Sequence, residues 1–255
     1  MKSHDQVFGL SVERSTNGVT FVTSSNDVTR QNAPGEVATL KAREGLRAYK
    51  YMKAEEAFAA GQVAMISALL DNADVDAAAS DATLTGTGDF TAKEFNDGTF
   101  PSAYVTIDAT ATTGQTRAIL DNSANVLKLD LAWTTALTTS SDYVTYDINY
   151  VSLADTDDVS ARASKVEGVA ISAITDEYWA WFQIEGFCPL VRCVGTTDPA
   201  IRGALITPSS TAGACKGPTA AGTTADDVSS SFGKALHAYA AADAAGAGIA
   251  AILKC

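Results

Sequence analysis

Apolar and polar residues alternate with a period of two in several stretches of this chain. Each such stretch predicts a β-strand with one face turned inward. The pattern is densest between Gly168 and Pro208, GVAISAITDEYWAWFQIEGFCPLVRCVGTTDPAIRGALITP. There Tyr178, Ala180, Phe182 and Ile184 fall on one face of a strand, and Trp179, Trp181 and Gln183 on the other. Large aromatics on both faces need cover on both, which predicts an interior strand of a barrel or sandwich. Glu185-Gly186 reads as a turn, and Leu190 to Val194 as a second strand.

Earlier in the chain, Val7 to Val12 and Val19 to Thr23 are β-prone runs joined by Thr16-Asn17-Gly18, where Asn17-Gly18 is a hairpin signal. The rest of residues 1–36 is polar and punctuated by Ser24 to Asp27 and Asn32 to Gly35. It reads as an N-terminal arm that packs on the body or on a neighbouring subunit, or stays loose. Leu46, Ala48, Tyr49 and Tyr51 suit a strand. Ala54 to Ala60 leans helical by propensity and stops at Gly61, and Gln62 to Ile66 is β-prone again, so strand–turn–strand and strand–helix–strand both remain open. Ser67 to Thr91 is acidic and rich in small residues, and reads as a linker or surface loop.

Four strand candidates follow: Tyr104 to Ile107, Thr116 to Leu120, Val126 to Leu131 and Tyr143 to Tyr150. Asp121 to Asn125 supplies the turn between the second and third. Leu127, Leu129 and Leu131 share a face opposite Lys128 and Asp130, so one face of that sheet is buried and one is wet. Asp155 to Asp158 marks a turn, and Ser209 to Ser231 reads as an exposed loop. The last element is a hairpin of Phe232 to Ala240 against Ile249 to Leu253, although its alanines also permit helix. The expected fold is therefore mainly all-β. A compact barrel or sandwich core spans 37–66 and 151–255, a small β module is inserted at 67–150, and the arm covers 1–36.

Composition narrows the function classes. The 255 residues carry a formal net charge of −12, with 46% hydrophobic and 19% charged residues. That hydrophobic share supports a folded core, while the acidic excess disfavours contact with nucleic acid or anionic lipid. No stretch approaches the roughly 20 apolar residues of a membrane helix. MKSHDQVFGLSVERS has no apolar core of the signal-peptide kind, so no signal peptide is expected. Cys188, Cys193, Cys215 and Cys255 are too few and too clustered for a disulfide framework, and suit synthesis in a reducing cytoplasm.

Catalytic and metal chemistry find little to build on. Cys188-x4-Cys193 has a tolerable zinc spacing, but Cys215 and Cys255 have no paired spacing, and His4 and His237 are the only histidines. Buried, inert thiols are the expectation, with a zinc site or a disulfide formed after release as the alternatives. Asp71-x2-Asp74-x-Asp76 and Asp155-x-Asp157-Asp158 lack the glycine and distal glutamate of an EF-hand loop, and read as solvated acidic turns. No G-x-S-x-G elbow is present, and Thr85-Gly86-Thr87-Gly88 lacks the lysine and helix of a phosphate loop. Lys41-x-Arg43 with Arg47-x2-Lys50 is the one basic cluster, and reads as a solvated strand face. No catalytic residue, metal or cofactor is implied.

The stretch 168–217, followed by SSSFGKALHAYAAADAAGAGIAAILK, resembles the C-terminal half of tailed-phage head proteins. The pattern is a Gly-Val-Ala strand at 168–170, an aromatic strand with W-x-Q-I-x-G at 181–186, Gly203-Ala204-Leu205-Ile206, Gly233-Lys234-Ala235-Leu236 and a final apolar strand. These features are similar to capsid decoration (cement) proteins of the phage lambda head-decoration type. YKYMKAEEAFAAGQVAMI looks like their entry strand, and 114–148 resembles a small β insertion recurring in phage structural proteins. The resemblance covers 46–66 and 104–253. It implies a structural, non-enzymatic protein made in the host cytoplasm and carried on the outer capsid surface of the virion. Its implied partner is the major capsid protein, often with homotrimeric assembly, and with no nucleic-acid or membrane partner. In that setting Val7, Val12, Val19 and Phe21 are the candidate capsid-contact residues of the arm, and Tyr178, Trp179, Trp181 and Phe182 the candidate core or subunit-interface aromatics. A tail, fibre or baseplate component that meets the host surface, through glycans or otherwise, is the rival. A secreted carbohydrate-active β enzyme is a third class, weakened by the missing signal peptide and nucleophile motif.

Overall fold

The fold is described from a computed structural model, over residues 12–15, 18–21, 34–42, 45–92, 95, 103–107, 114–154, 166–193, 202–209, 211–217, 231–236 and 248–255. Among these residues the protein is all-β, with no helix, and the strand pairs whose register is given below are antiparallel. The contacts divide the chain into two compact units, residues 1–65 with 151–255, and residues 66–150.

Two short strands, β1 (Val12–Ser15) and β2 (Gly18–Phe21), form a two-stranded sheet of their own. Ser15 lies opposite Gly18, so Gly18 belongs to the second strand. The larger sheet of this first unit begins with β3 (Val37–Ala42) and β4 (Gly45–Ala54), paired from Val37↔Lys50 to Ala42↔Gly45. Its middle is a 14-residue strand, β12 (Trp179–Arg192). The first half of β12 runs against β4, from Trp179↔Lys53 to Glu185↔Ala48. On its other side lies β11 (Val166–Ala170), through Val169↔Gln183, and β11 in turn meets the start of β5 (Val63–Asp74) through Val169↔Val63. The second half of β12 pairs with β16 (Gly248–Lys254). Beyond β16 come β15 (Gly233–Ala235), β13 (Leu205–Pro208) and β14 (Cys215–Lys216) in that order.

Glu185-Gly186 is therefore not a turn. The strand runs through it, with irregular register against β4 between Gln183 and Glu185 and against β16 between Cys188 and Val191. Gly186 holds φ at 89°, and a Cβ there would lie 2.2 Å from the Leu46 carbonyl oxygen, so only glycine lets β12 pass this close to β4. Nor is there a helix at Ala54 to Ala60. Phe58 forms an isolated bridge with Ile174, its N–H donating to the Ile174 carbonyl at 3.0 Å. Its ring meets Phe182 edge-on at 5.2 Å, and burying it there overrides alanine's preference for helix. Gly61, at φ 83°, ends the turn. At the C-terminus β15 and β16 pair as Gly233↔Leu253 to Ala235↔Ala251, while the connection 237–247 lies outside the described residues.

Two apolar clusters fill this unit. One joins Met52, Ala54, Phe58, Ala64, Val151, Ala170, Ile174, Ala180 and Phe182. The other joins Val63, Val169, Cys188, Val191, Ile206, Phe232, Ile249, Ala251 and Leu253 with their neighbours. Ser209 to Ser231 is not wholly an exposed loop: Ser209, Ala214 and Cys215 are buried, because Pro208↔Cys215 pairing folds them back onto β13.

In the second unit, β7 (Ala103–Ile107) lies between β10 (Asp142–Leu153) and β8 (Thr116–Asn122), and β9 (Val126–Leu129) between β8 and β6 (Thr83–Thr85). Val75, Leu84, Phe90, Phe95, Val105, Ile107, Leu127, Leu129, Trp133, Leu137 and Tyr143 build its core. The stretch 67–91 is thus not a linker: β5 continues to Asp74, and Val75, Leu84 and Phe90 anchor the remainder. Leu131 leaves the predicted buried face and is 63% exposed, since β9 ends at Leu129. Asn122 pins the β8 end, its side-chain amide donating to the Thr91 and Ser123 carbonyls and accepting from the Phe95 N–H.

Candidate functional site

β4 and β12 bring Tyr49, Tyr51, Trp179 and Trp181 together. Register places Tyr51 opposite Trp181 and Tyr49 opposite Gln183, so these four share a face. The Tyr51 ring stacks on Trp179 at 5.5 Å and tilts against Trp181 at 5.2 Å. Trp181 and Phe182 are fully buried, Trp179 nearly so, and Tyr178 is half-buried at the margin of the Phe182 cluster. All of that burial is achieved within one chain. The Trp181 indole N–H is a buried donor with no hydrogen-bond partner among the described residues.

Beside this wall, at the irregularity in β12, lies a cavity of about 160 Å³ lined by Arg47, Tyr49, Ser172, Gln183, Cys188 and Leu190, among others. That is small beside the roughly 300–1,000 Å³ of a drug-sized ligand pocket. Arg47 is 8% exposed, and its guanidinium lies 5.2 Å from the centre of the Phe187 ring. Burial pushes the Tyr49 phenol up to about 12, against the opposing pull of Arg47. The Gln183 amide donates to the Glu185 and Phe187 carbonyls at 3.1 and 2.9 Å, filling the gap the irregularity leaves in the ladder. The Cys188 thiol donates to the Leu190 carbonyl at 3.1 Å, and burial raises its pKa to about 11. A thiol held that high is not a thiolate at neutral pH and is a poor nucleophile. The cavity thus offers one cation, hydrogen-bonding groups and an apolar wall, with no His, Asp or Glu in its lining.

Arg47 is buried and not on the solvated basic face expected of the Lys41 to Lys50 cluster. Arg47, Tyr49 and Tyr51 alternate on one face, and that spacing is the signal that could have found it. Lys50, on the opposite face, pairs with Glu167 at 2.9 Å. Of the arm residues, Val12 lies opposite Phe21 and Val19 opposite Arg14 in the β1–β2 ladder, while Val7 lies outside the described residues. His4, His237 and Asp155 to Asp158 also lie outside them.

Cys188 and Cys193 do not converge. Cys193 instead meets Cys215, sulfur to sulfur at 2.7 Å. Among the described residues no three His, Cys, Asp or Glu side chains gather as metal ligands. In the Thr85 to Gly88 turn the N–H of Thr87 donates to the Asp76 carboxylate and that of Gly88 to Asn125 Oδ1 at 3.0 Å, so its amides are engaged by the protein's own oxygens. The Thr87 hydrogen bonds hold the Asp76 carboxyl below its ordinary pKa.

Comparison of the chain with protein-family models, with curated proteins and with solved structures found no match in any of the three.

Proposed function

We propose that the protein is a structural component of a phage virion that binds the outer capsid surface and bridges neighbouring capsomers. The observation that carries this reading is where the decoration-protein-like stretches fall. The entry strand β4, the Gly-Val-Ala strand β11, the aromatic strand β12, Leu205–Pro208, Gly233–Ala235 and the closing apolar strand β16 assemble into the same β unit. The 114–148 stretch, which resembles an insertion in phage structural proteins, supplies strands of the other unit. The acidic surface implied by a net charge of −12 suits a protein held at high density on a shell without contact with the genome.

In this reading the first unit is a compact barrel or sandwich. A β protein docked across the line between two capsomers adds buried area there, so opening that line under internal genome pressure costs more free energy. The 1–36 arm adds a strand to a capsid-protein sheet edge, with main-chain hydrogen bonds fixing register and Val7, Val12, Val19 and Phe21 as side-chain anchors. Assembly is trimeric, around a three-fold axis. The protein acts without catalysis or cofactor.

Co-sedimentation with empty, expanded heads tests this. Full-length protein binds saturably, and a variant lacking residues 1–36 binds more weakly by a factor of ten or more, the equivalent of about 1.4 kcal/mol. Equal binding of the two forms refutes the arm's role. Failure of the full chain to bind heads, with binding to tails or host cells instead, refutes the capsid reading and favours an adhesion role.

A further inference from the structure

We propose that Cys193 and Cys215 are a latent cross-strand pair that peroxide converts to an intrachain disulfide. Cys193 directly follows the last residue of β12, Cys215 opens β14, and the two are mutual partners in a parallel β-bridge. Neighbouring strands lie about 4.7–4.9 Å apart, inside the roughly 4.4–6.8 Å that disulfide-linked Cα atoms span. Their sulfurs are already in contact at 2.7 Å, across 22 residues of sequence.

Both ends of the pair are held in place. The Arg192 N–H donates to the Gly61 carbonyl at 2.8 Å, and Pro208 of β13 faces Cys215. Both cysteines are buried in one apolar cluster with Val63, Val191, Ile206 and Phe232, which a small uncharged oxidant enters more readily than a glutathione-sized one. Neither remaining cysteine is so placed: Cys188 hydrogen-bonds to Leu190 within its own strand, and Cys255 is half-exposed at the chain end.

The chemistry balances in two steps. One thiol sulfur attacks hydrogen peroxide, an S–O bond forms as the O–O bond breaks, and water leaves a sulfenic acid. The second sulfur then attacks the first, an S–S bond forms as the S–O bond breaks, and a second water leaves. The two sulfurs give up two electrons and peroxide takes them. A reducing cytoplasm keeps the pair open, and an oxidising exterior closes it. Closing a loop of this size raises Tm by roughly 5–8 °C.

The test treats the reduced, desalted full-length protein with a few equivalents of hydrogen peroxide. Remaining thiols are then alkylated under denaturing conditions, and the peptides are mapped without reduction. The expected result is a mass lower by two hydrogens, one linked peptide joining Cys193 to Cys215, and a Tm gain that dithiothreitol reverses. Cys188→Ala keeps the link and Cys215→Ala loses it. Should Cys215→Ala fail to fold, the wild-type map decides alone. Recovery of Cys193 and Cys215 as alkylated thiols, as sulfinic or sulfonic acids, or in disulfides with other cysteines overturns the proposal.

Discussion

Phe182 is the side chain whose removal tests the packing of β12 most sharply. It is fully buried, and its ring sits edge-on against Phe58 with Met52, Ala64, Val151 and Ala170 around it. Phe182→Ala removes the transfer free energy of the ring and leaves a cavity that a β-sheet interior fills poorly, for a loss of about 3–5 kcal/mol. Of this, about 0.5–1.5 kcal/mol belongs to the edge-to-face pair itself. It is recoverable as the coupling between Phe182→Ala and Phe58→Ala in a double-mutant cycle. Tyr178, on the same face but half-buried, costs about 1–2 kcal/mol when truncated to Ala, because part of its ring already meets water. Urea unfolding followed by tryptophan fluorescence reads the difference, with Trp179 and Trp181 as reporters beside the site. With a slope of about 2–3 kcal/mol per molar, Phe182→Ala moves the midpoint down by about 1–2 M. A shift below about 0.4 M, or equal shifts for Phe182→Ala and Tyr178→Ala, means the ring is not packed as described.

Other expected outcomes follow from single residues. Gly186→Ala forces a left-handed backbone and a Cβ onto the Leu46 carbonyl, so it lowers stability by about 2 kcal/mol or more in thermal melts; a neutral effect rejects the close approach of β12 to β4. Asn122→Ala strips three hydrogen bonds from the end of β8 and costs about 2–3 kcal/mol, read by hydrogen exchange at the Phe95 amide. Tyr49 and Cys188 hold their protons more tightly folded than unfolded. Their contribution is full below pH 9 and is lost as pH rises through about 11 for the thiol and about 12 for the phenol. Denaturation midpoints therefore fall across this alkaline range, Cys188→Ala removing the lower part of the slope and Tyr49→Phe the upper.

Strands whose burial follows from their own alternation were legible in the sequence. Tyr178 to Ile184, Tyr104 to Ile107 and Thr116 to Leu120 need no distant partner to be recognised, because period-two alternation and β-branched or aromatic content suffice. What escaped depends on residues remote in sequence. Glu185-Gly186 carries turn chemistry, yet β16 pairs on the far side of β12 and draws the strand straight through it. Ala54 to Ala60 carries helix propensity, yet Phe58 has a buried place against Ile174 and Phe182. The acidic 67–91 stretch looks solvated until Val75, Leu84 and Phe90 are seen converging with Tyr143 and Trp133 from 40 or more residues away. The Arg47 cavity and the Cys193–Cys215 contact are of the same kind, each joining strands that local pattern cannot connect.

The most direct test of the account is the heat stability of expanded, empty phage shells, measured by light scattering and calorimetry with and without saturating protein. Capsomer bridging predicts a rupture temperature that climbs with occupancy and levels off at a fixed stoichiometry. An unchanged rupture temperature at saturating protein contradicts it.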